Sequence, residues 1–562
     1  QPELSGLKVA FVDATREILG DLVDQFEGPV GVLDVGHDGQ MDLFARNKNE
    51  GFQLLLQREG AFVPEGFPYP PLADATYTTC LVGDLQHKTS LMGGRQEDVL
   101  LLSDKGTQVF RVSPSGMLSD SSLFAQIANV VLDDGVLTDL DLTGKLDLVG
   151  LSATNRSLMF LRNQGNFSFI NHTSTTNLPS NLEDIQQLVF DDWDGDDLLD
   201  LCLVHPDRAP SLFIRERGAG FVETNLFSAL PISKAVVVGD LNNDLRADFI
   251  GLADGQIAMK YQGEEALSII TADTASIRRL QLVDYDNDGW LDIVGFGNGT
   301  LKAWRNRGLE GFVESTQSLG LSDLKLGDVG SLKAADLDGD CDTDFLLTLT
   351  DQSIKVLRNE GGNQNQQLKL RLEGNRSNPS ALGIKLEITS GGLRMIRTVR
   401  ELPIEIGLGK RKKVDAIDPH WSDLVTTTDF EVEDCATLSV PELEMPTGSC
   451  PYLYVWDGQQ YRFVTDLLGA APLGLPVAAG KLIPADTDEF VWLGEGFKAL
   501  EGDFILQITE ELREVLYLDE AKLIAIDHPE GVELIPTNKL VPGPPFPQAG
   551  FLAAHSPYKL KS

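Results

Sequence analysis

The aspartates of this chain recur in one nine-residue pattern that suits the binding of a cation. The pattern has Asp at position 1, Asp or Asn at position 3, and Asp at positions 5 and 9. The stretches that match it are Asp192, Asp194, Asp196 and Asp200; Asp284, Asp286, Asp288 and Asp292; Asp336, Asp338, Asp340 and Asp344; and, with Asn at position 3, Asp240, Asn242, Asp244 and Asp248. In a tight loop these side chains turn inward together, and a bound cation would offset the repulsion between them.

Two weaker copies depart from the pattern at one position each. One consists of Asp139, Asp141 and Asp147, with Thr143 at position 5, and the other of Asp34, Asp38 and Asp42, with Gly36 at position 3. A further unit begins at Asp84 and keeps strand-like flanks, but its loop is longer and has lost the pattern. The seven starts are 44 to 55 residues apart, which indicates a structural repeat.

Calcium is the cation that this pattern favours. Ca²⁺ takes six to eight oxygen ligands, and carboxylates at positions 1, 3, 5 and 9 with the carbonyl of position 7 would supply them. An EF-hand is excluded, because it needs Glu at position 12 and flanking helices, whereas position 12 holds Leu or Gly between strand-like segments. The alternative is a set of acidic β-turns without metal, since Asp and Gly favour turns in any case.

The elements around these loops predict a β-propeller. Each unit of about 50 residues contains about four short apolar strands, as in Leu301-Lys-Ala-Trp-Arg-Asn followed by Gly311-Phe-Val. In its loops and its period the chain resembles the FG-GAP/VCBS repeat family, which includes the heads of integrin α-chains and many bacterial surface proteins. The resemblance covers residues 1–362 and implies seven blades, with calcium held in hairpin loops on one face.

The two ends of the repeat region are expected to complete one blade together. The seventh unit lacks a fourth strand before residue 363, and Leu7–Thr15 has the character of a last blade strand. We therefore predict that residues 1–20 close the blade whose loop begins at Asp336, since an unpaired apolar edge would be exposed otherwise. Pairing with the nearby Gly31–Asp34 is the competing possibility.

The last 200 residues lose the repeat and predict two further β-rich domains, 363–440 and 441–562. The first resembles the ASPIC/UnbV module, which follows such propellers in bacterial surface proteins and in cartilage acidic protein. The matching pieces are Gly374–Asn378, Gly383-Ile-Lys-Leu, Ile406–Gly409 and Trp421. The sequence departs from the module at His420-Trp-Ser-Asp, where the family has Arg-Trp-Pro-Ser-Gly. Tyr452–Gly458 and Tyr461–Val464 predict a hairpin in the second domain.

Composition and charge exclude several classes of function. The net charge of −39 disfavours nucleic acid and anionic membranes as partners, and no apolar stretch is long enough to span a bilayer. Five cysteines are too few for a disulfide scaffold; Cys435 and Cys450 could pair, and Cys80, Cys202 and Cys341 are expected to be buried thiols. No catalytic histidine pair, nucleophile elbow or phosphate loop is present.

The sequence therefore predicts an all-β protein: a seven-bladed propeller with calcium-binding hairpin loops, followed by C-terminal β-sandwich-like domains. Its predicted function is that of a non-catalytic module that calcium stabilises, and its predicted location is secreted, periplasmic or cell-surface, because extracellular modules bind calcium in the millimolar range. It would bind a protein or glycan partner, alone or as a subunit of a surface assembly. The alternative is a propeller enzyme of the lyase or hydrolase type that acts on carbohydrate.

Overall fold

The structure is a computed structural model, in which the chain divides into two compact units, 1–443 and 444–562. None of the helices in the described part of the chain is long and apolar enough to cross a membrane. The residues that the structure describes are 8–86, 96–165, 167–175, 178–179, 182–206, 208–216, 220–224, 232, 234–264, 266–270, 272–421, 427–431, 437–442, 451–467, 476–478, 481–482, 490–493, 497–500, 502–509, 518, 520–529, 532–536 and 551–555.

Unit 1 begins with a series of four-stranded antiparallel sheets, here sheets 1 to 7. Sheets 1 to 3 consist of Phe26–Leu33, Asp42–Asn47, Gly51–Arg58 and Ala61–Tyr69; Tyr77–Gly83, Asp98–Ser103, Gly106–Val112 and Leu118–Asp120; and Leu132–Thr138, Asp147–Ser152, Leu158–Asn163 and Phe169–Asn171. Sheets 4 to 6 consist of Gln187–Asp191, Asp200–Val204, Ser211–Glu216 and Gly220–Thr224; Lys234–Gly239, Asp248–Ala253, Gln256–Lys260 and Ser268–Ile270; and Arg279–Val283, Asp292–Gly297, Thr300–Asn306 and Phe312–Glu314. Sheet 7 consists of Val329–Ala335, Asp344–Leu349, Ile354–Glu360 and Ala10–Asp13.

Sheet 7 contains strands from both ends of this region, as the sequence predicted. Ala10–Asp13 pairs antiparallel with Ile354–Glu360, with Phe11 opposite Asn359, and forms the edge of the sheet. Phe11 is 2% exposed and stacks on Phe345 at a ring-centroid distance of 4.2 Å. The aminoterminal strand therefore fills the core of sheet 7 as well as pairing its edge.

Contacts between successive sheets close the series. Each hydrophobic cluster of unit 1 joins two neighbouring sheets, and one of them joins sheet 7 to sheet 1 through Leu337, Leu346, Val32 and Leu43. Both faces of each sheet are thus covered by apolar side chains of its neighbours, which is the packing of a β-propeller.

Side-chain amides form a second link between neighbouring sheets. An Asn or Gln near the end of the third strand donates to a backbone carbonyl of the preceding sheet. The acceptor is the residue after the first aspartate of the loop between strands one and two, and four of the five bonds measure 2.7–3.1 Å. The donor and acceptor residues are Asn163 and Leu85, Asn306 and Leu241, Asn359 and Tyr285, Gln57 and Leu337, and, in a shorter contact, Gln262 and Trp193. The bond from Gln57 to Leu337 crosses from sheet 1 to sheet 7 and closes the ring. We refer to these bonds as the amide clasps.

The rest of unit 1 forms two smaller sheets, which we call the module (residues 366–441). One sheet has the order Ile404–Gly409, Gln366–Glu373 and Thr437–Pro441, and the other Leu393–Thr398, Lys385–Ser390, Lys413–Pro419 and Thr427–Glu431. Short helices occupy Thr15–Leu19 and Leu22–Gln25, and 3₁₀ turns Thr173–Thr175, Gly308–Glu310, Leu321–Asp323 and Gly362–Gln364. The apolar faces of the module share one core with sheets 2 and 3.

Unit 2 contains the predicted hairpin, in which Tyr452–Trp456 pairs with Tyr461–Asp466; Leu506–Thr509 flanks it. The other strand pairs are Pro476–Ala478 with Lys481–Leu482, Ala499–Leu500 with Asp503–Phe504, and Val532–Pro536 with Phe551–His555.

The cysteines correct one expectation. Cys80 and Cys202 are buried free thiols, as predicted, but Cys341 is disulfide-bonded. Cys341 lies in the loop between two strands of sheet 7 rather than in a strand, so its side chain is not enclosed by a sheet core. Cys435 and Cys450, which could pair according to the sequence, lie outside the described residues.

The closing strand gives a stability prediction. Phe11→Ala should lower the free energy of unfolding by about 3–5 kcal/mol, because it removes a buried aromatic ring and leaves a cavity. Val12→Ala is the matched control, since Val12 lies on the same strand but is 38% exposed. Thermal or denaturant unfolding measures both, and equal losses for the two variants would contradict a core role for Phe11.

Candidate metal centres

Six loops that join the first and second strands of their sheets share one backbone shape. In each, the position-1 carboxylate accepts the N–H of position 5 on one oxygen and that of position 6 on the other, at 2.8–3.2 Å. Positions 4 and 6 have positive φ in all six loops, as at Gly195 and Asp197. These left-handed residues fold the loop back on the position-1 side chain. The loops begin at Asp34, Asp139, Asp192, Asp240, Asp284 and Asp336.

The position-9 aspartate fixes the other side of each loop. It is the first residue of the second strand, and its Oδ1 accepts a backbone N–H at 2.7–3.1 Å in all seven sheets. The donor lies at the end of the third strand or, in sheet 5, two residues after it. Sheet 2 is included, because Asp98 accepts from Val112 and from Leu85 despite the longer loop. The sequence pattern did not predict this role for Asp98, although Asp98 precedes an apolar strand as Asp292 does.

The structure brings together the carboxylates of positions 1, 3 and 9. Ligand oxygens of each group lie within 4.8 Å of one another in four loops: Asp139, Asp141 and Asp147; Asp192, Asp194 and Asp200; Asp284, Asp286 and Asp292; and Asp336, Asp338 and Asp344. The loop at Asp139, which the sequence ranked with the weaker copies, thus has the same arrangement as the three complete ones. Within the described chain, the loop at Asp34 does not form such a group.

The position-5 aspartates lie outside these groups of three. Each accepts an N–H from position 7 instead: Asp196 from Leu198, Asp244 from Arg246, Asp288 from Trp290 and Asp340 from Asp342, at 2.9–3.2 Å. Asn242 fills position 3 of the Asp240 loop, and its amide oxygen accepts from Asp244. The loop at Asp240 therefore offers an amide oxygen where the others offer a carboxylate.

Unpaired buried oxygens show that two loops suit a cation. In the loop at Asp139, Asp141 Oδ1, Thr143 Oγ1 and Asp147 Oδ2 are buried without a hydrogen-bond donor; in the loop at Asp284, Asp286 Oδ1 and Asp292 Oδ2 are. Asp147, Asp286 and Asp292 are at most 1% exposed. A buried carboxylate oxygen with no partner is unfavourable, and a cation bound at these ligand positions would remove the cost. The chemistry of these oxygen ligands fits calcium.

Burial and mutual repulsion oppose ionisation of the loop carboxyls. Burial raises the pKa of Asp200 and that of Asp248 to about 7, and nearby aspartates add to the shift. The pKa of Asp147 rises to about 8 and that of Asp344 to about 9, again chiefly through burial. The backbone N–H groups that bind these carboxylates lower the pKa and offset only part of the rise. These four carboxyls therefore bind a proton more readily than an exposed aspartate does when no cation is present.

Basic side chains of the protein also contact the loops. From the third strands, Arg162 Nε lies 2.5 Å from Asp141 Oδ2, and Arg305 Nη2 lies 2.5 Å from Asp286 Oδ2. From the module, Lys369 Nζ lies 2.5 Å from Asp336 Oδ2 and Lys385 Nζ lies 2.7 Å from Asp192 Oδ2. Both lysine pairs are nearly dry, with at most 11% of either side chain exposed.

The module lies directly against the loops. Gly407 packs so closely on the Asp284 loop that a Cβ there would stand 2.1 Å from Asp284 Oδ2, and Gly409 N–H donates to Asn287 O at 2.7 Å. His420 Nδ1 lies 2.8 Å from Asp197 Oδ1, and Ser380 Oγ accepts from Asp84 N–H. The face of the propeller that carries the predicted calcium loops is thus the face that the module covers. No sequence signal identified Lys369 or Lys385 as partners of these loops.

The raised pKa values predict how metal-free protein responds to pH. Carboxyls whose pKa rises from 3.8 when unfolded to about 7–9 when folded bind protons more tightly in the folded state. Their stabilising protonation is complete below 3.8 and is lost as pH rises through the folded values. In excess chelator, the melting temperature should therefore fall between pH 5 and pH 9. A melting temperature that rises over this range in chelator would contradict the predicted charge repulsion.

Lys369 and calcium are predicted to neutralise the same carboxylate. Lys369→Met leaves Asp336, which is fully buried, without its ammonium partner, and removal of one member of a buried pair costs about 3–5 kcal/mol. Calcium should recover much of that loss. Lys105→Met is the control, since Lys105 pairs with Asp104 at the surface. Unfolding in chelator and in calcium measures the difference, and equal losses in both would show that Lys369 and calcium act independently.

Comparisons with known proteins agree with the propeller. Residues 284–347 match the FG-GAP-like repeat, and this segment includes the two loops at Asp284 and Asp336. A comparison with curated protein sequences found no match.

Several solved structures are similar to part of this chain at low sequence identity. One is an Agrocybe aegerita lectin that recognises non-reducing terminal N-acetylglucosamine: 16% identity, TM-score 0.36, 61% of this chain and 88% of that one. Another is the rhamnogalacturonan lyase YesW, with 14% identity and a TM-score of 0.33; the match covers 59% of this chain and 71% of that one. A third is the extracellular domain of BT4673 from B. thetaiotaomicron, with 9% identity and a TM-score of 0.37; the match covers 77% of this chain and 59% of that one. At these TM-scores we draw no argument about activity or ligand. The chain carries an FG-GAP-like repeat within a β-propeller.

Proposed function

We propose that this protein is a calcium-stabilised, non-catalytic extracellular module whose seven-bladed propeller binds a protein or glycan partner, alone or as a subunit of a surface assembly. The observation that carries the proposal is the pair of loops at Asp139 and Asp284. In each, three carboxylates converge, and two buried carboxylate oxygens have no hydrogen-bond donor among the described residues. Charges of one sign in such a loop favour a divalent cation over an empty site.

The calcium ligands that we propose are those of the repeated pattern. They are the aspartates and the asparagine at positions 1, 3, 5 and 9 of the loops at Asp192, Asp240, Asp284 and Asp336. The loop at Asp139 joins them on the evidence of its unpaired oxygens. We expect weaker binding at Asp34, because Gly36 at position 3 offers no side-chain oxygen as a ligand.

Two features support an extracellular location. Cys341 is disulfide-bonded, and disulfides persist in oxidising compartments. The loops offer carboxylate and backbone oxygens of the kind that bind calcium, and the calcium sites of extracellular modules fill at the millimolar concentrations found outside cells. Recovery of the native protein from a washed cytosolic fraction would contradict this part of the proposal.

The module has the role of a cap in this proposal, and we infer that it is of the ASPIC/UnbV type. The segments that carry the resemblance lie where the module folds or docks: Glu442 Oε2 accepts N–H groups of Arg376 and Ser377, Gly407 packs on the Asp284 loop, and Trp421 is 1% exposed. Because the module covers the loop face, the partner would bind the outer strands or the opposite face.

The alternative function is a carbohydrate lyase or hydrolase. It would act in the central channel of the propeller, a cavity of about 1020 Å³ that the first strands of the sheets line and that module residues 396–406 close at one end. Its aromatic lining residues in the described chain are Phe190 and Phe296, both buried in the cores between sheets. The carboxylates at its closed end are already paired, Asp191 with Arg400 and Glu401 with Lys333. Glycoside cleavage needs a free acid and a free base at the sugar, so the channel favours binding over catalysis.

Asp286→Asn tests the proposed calcium site by comparing the stability of the variant in chelator with its stability in calcium. In chelator, the variant should change the melting temperature little, because the repulsion that it removes around Asp292 and Asp288 is offset by the loss of the ion pair with Arg305. In excess calcium, it should lower the melting temperature relative to wild type, since a charged ligand is lost.

Asp38→Asn is the matched control for that experiment. It makes the same chemical change in the Asp34 loop, which lacks a group of three carboxylates, so its effect should be small and independent of calcium. A wild-type melting curve that is the same in chelator and in calcium would overturn the metal proposal.

A further inference from the structure

The propeller has a central channel with one closed end. Its cavity measures about 1020 Å³ and is lined by the first strands of the sheets together with the module segment around Thr398–Glu405. That segment enters from the loop face: Arg400 Nη1 donates to Val238 O at 2.8 Å, and Thr398 Oγ1 donates to Asp191 Oδ1 at 2.7 Å. The channel is therefore a dead-end pocket that opens on the face opposite the module.

One polar residue from each of sheets 2 to 7 forms a collar at the open end. Each is paired with the residue four positions after the position-9 aspartate of its own sheet, so all six stand at the same level of the propeller. The collar consists of Thr79, Asp134, Gln187, Lys234, Arg279 and Ser331.

Deeper in the channel, the wall is mostly apolar. At the next level, where each residue is paired with the one two positions after the position-9 aspartate, the channel is lined by Leu81, Val136, Val189 and Val237. The remaining charged groups at the closed end are paired within the protein, as Lys333 is with Glu401. Free hydrogen-bonding capacity in the channel is therefore concentrated at the collar.

Within the collar, Lys234 and Arg279 are exposed cations without a hydrogen bond or an ion pair in the described structure. They lie side by side, on the first strands of neighbouring sheets 5 and 6. Gln187, in contrast, is occupied, because its amide both donates to and accepts from the backbone of Val236. Burial raises the pKa of Asp134 and Arg279 opposes that rise, which places Arg279 within electrostatic reach of Asp134.

The charge of the cavity differs from that of the whole protein. Seven basic and six acidic residues line it, whereas the chain has 46 basic and 85 acidic residues. Because most of these charges are paired within the protein, the cations Lys234 and Arg279 make the open end the part of the channel that favours an anion.

We propose that the collar binds an acidic sugar unit, with its carboxylate on Lys234 and Arg279 and its hydroxyl groups on Asp134, Thr79 and Ser331. Charge-assisted bonds to the carboxylate would supply affinity, and the neutral and acidic collar residues would read the hydroxyl groups. This inference rests on the glycan branch of the proposed function and names its ligand chemistry; it does not depend on calcium.

The test uses glucuronate, glucose and inorganic sulfate as probes of the full chain in calcium, with binding measured by calorimetry or by ligand-observed NMR. We expect glucuronate to bind at least about tenfold more tightly than glucose, and the double variant Lys234→Gln/Arg279→Gln to lose about tenfold in affinity. The control Lys105→Gln/Arg58→Gln makes the same charge change at exposed positions outside the channel and should bind as wild type does.

Three results would overturn this inference: no binding of glucuronate, equal binding of glucose and glucuronate, or unchanged affinity in the Lys234/Arg279 variant. Sulfate that binds as tightly as glucuronate would overturn the sugar component, because it would show a site for the acid group alone. Since both substituted side chains are exposed, the variants should melt as wild type does. Failure of this test with calcium-dependent melting intact would leave the proposed calcium-stabilised module standing.

Discussion

The repulsion between buried carboxylates at the ends of the first strands is the constraint on which unit 1 depends. The position-9 aspartate has a structural role in every sheet of the propeller, because its Oδ1 accepts a hydrogen bond that links the start of the second strand to the end of the third. The position-1 aspartate is needed as well, since it organises the turn in six loops. Each loop therefore gathers negative charge for structural reasons, and the fold must supply positive charge to balance it.

Balance can come from within the chain or from a bound ion, and the loops differ in this respect. At Asp192 and Asp336 the module contributes a lysine, whereas at Asp139 and Asp284 unpaired oxygens remain despite the arginines nearby. The same two lysines also help to attach the module to the propeller, so these ion pairs contribute both to charge balance in the loops and to docking of the module. Docking in turn closes one end of the central channel and leaves the other end, with its cationic collar, open to solvent.

Much of this architecture follows from sequence because it depends on local patterns. The spacing of the aspartates defines the loops, and the missing fourth strand of the last repeat predicts the pairing of Ala10–Asp13 with Ile354–Glu360, which the structure shows. The role of Asp98 was missed because a longer loop hides its distance from Asp84. The amide clasps were missed too, although the Arg-Asn pairs at Asn163, Asn306 and Asn359 recur in the sequence. Lys369 and Lys385 could not be predicted, because they meet the loops only through tertiary packing.

The calcium content of the purified protein tests the central claim most directly. After dialysis against calcium-containing buffer and removal of free metal, elemental mass spectrometry should find at least two calcium ions per chain, one each for the loops at Asp139 and Asp284 with their unpaired oxygens. Asp147→Asn/Asp292→Asn, which alters position 9 in these two loops, should reduce that number. Protein that retains its fold but contains no calcium would contradict the account, because its buried carboxylates would then have to be balanced by protons and the protein's own cations alone.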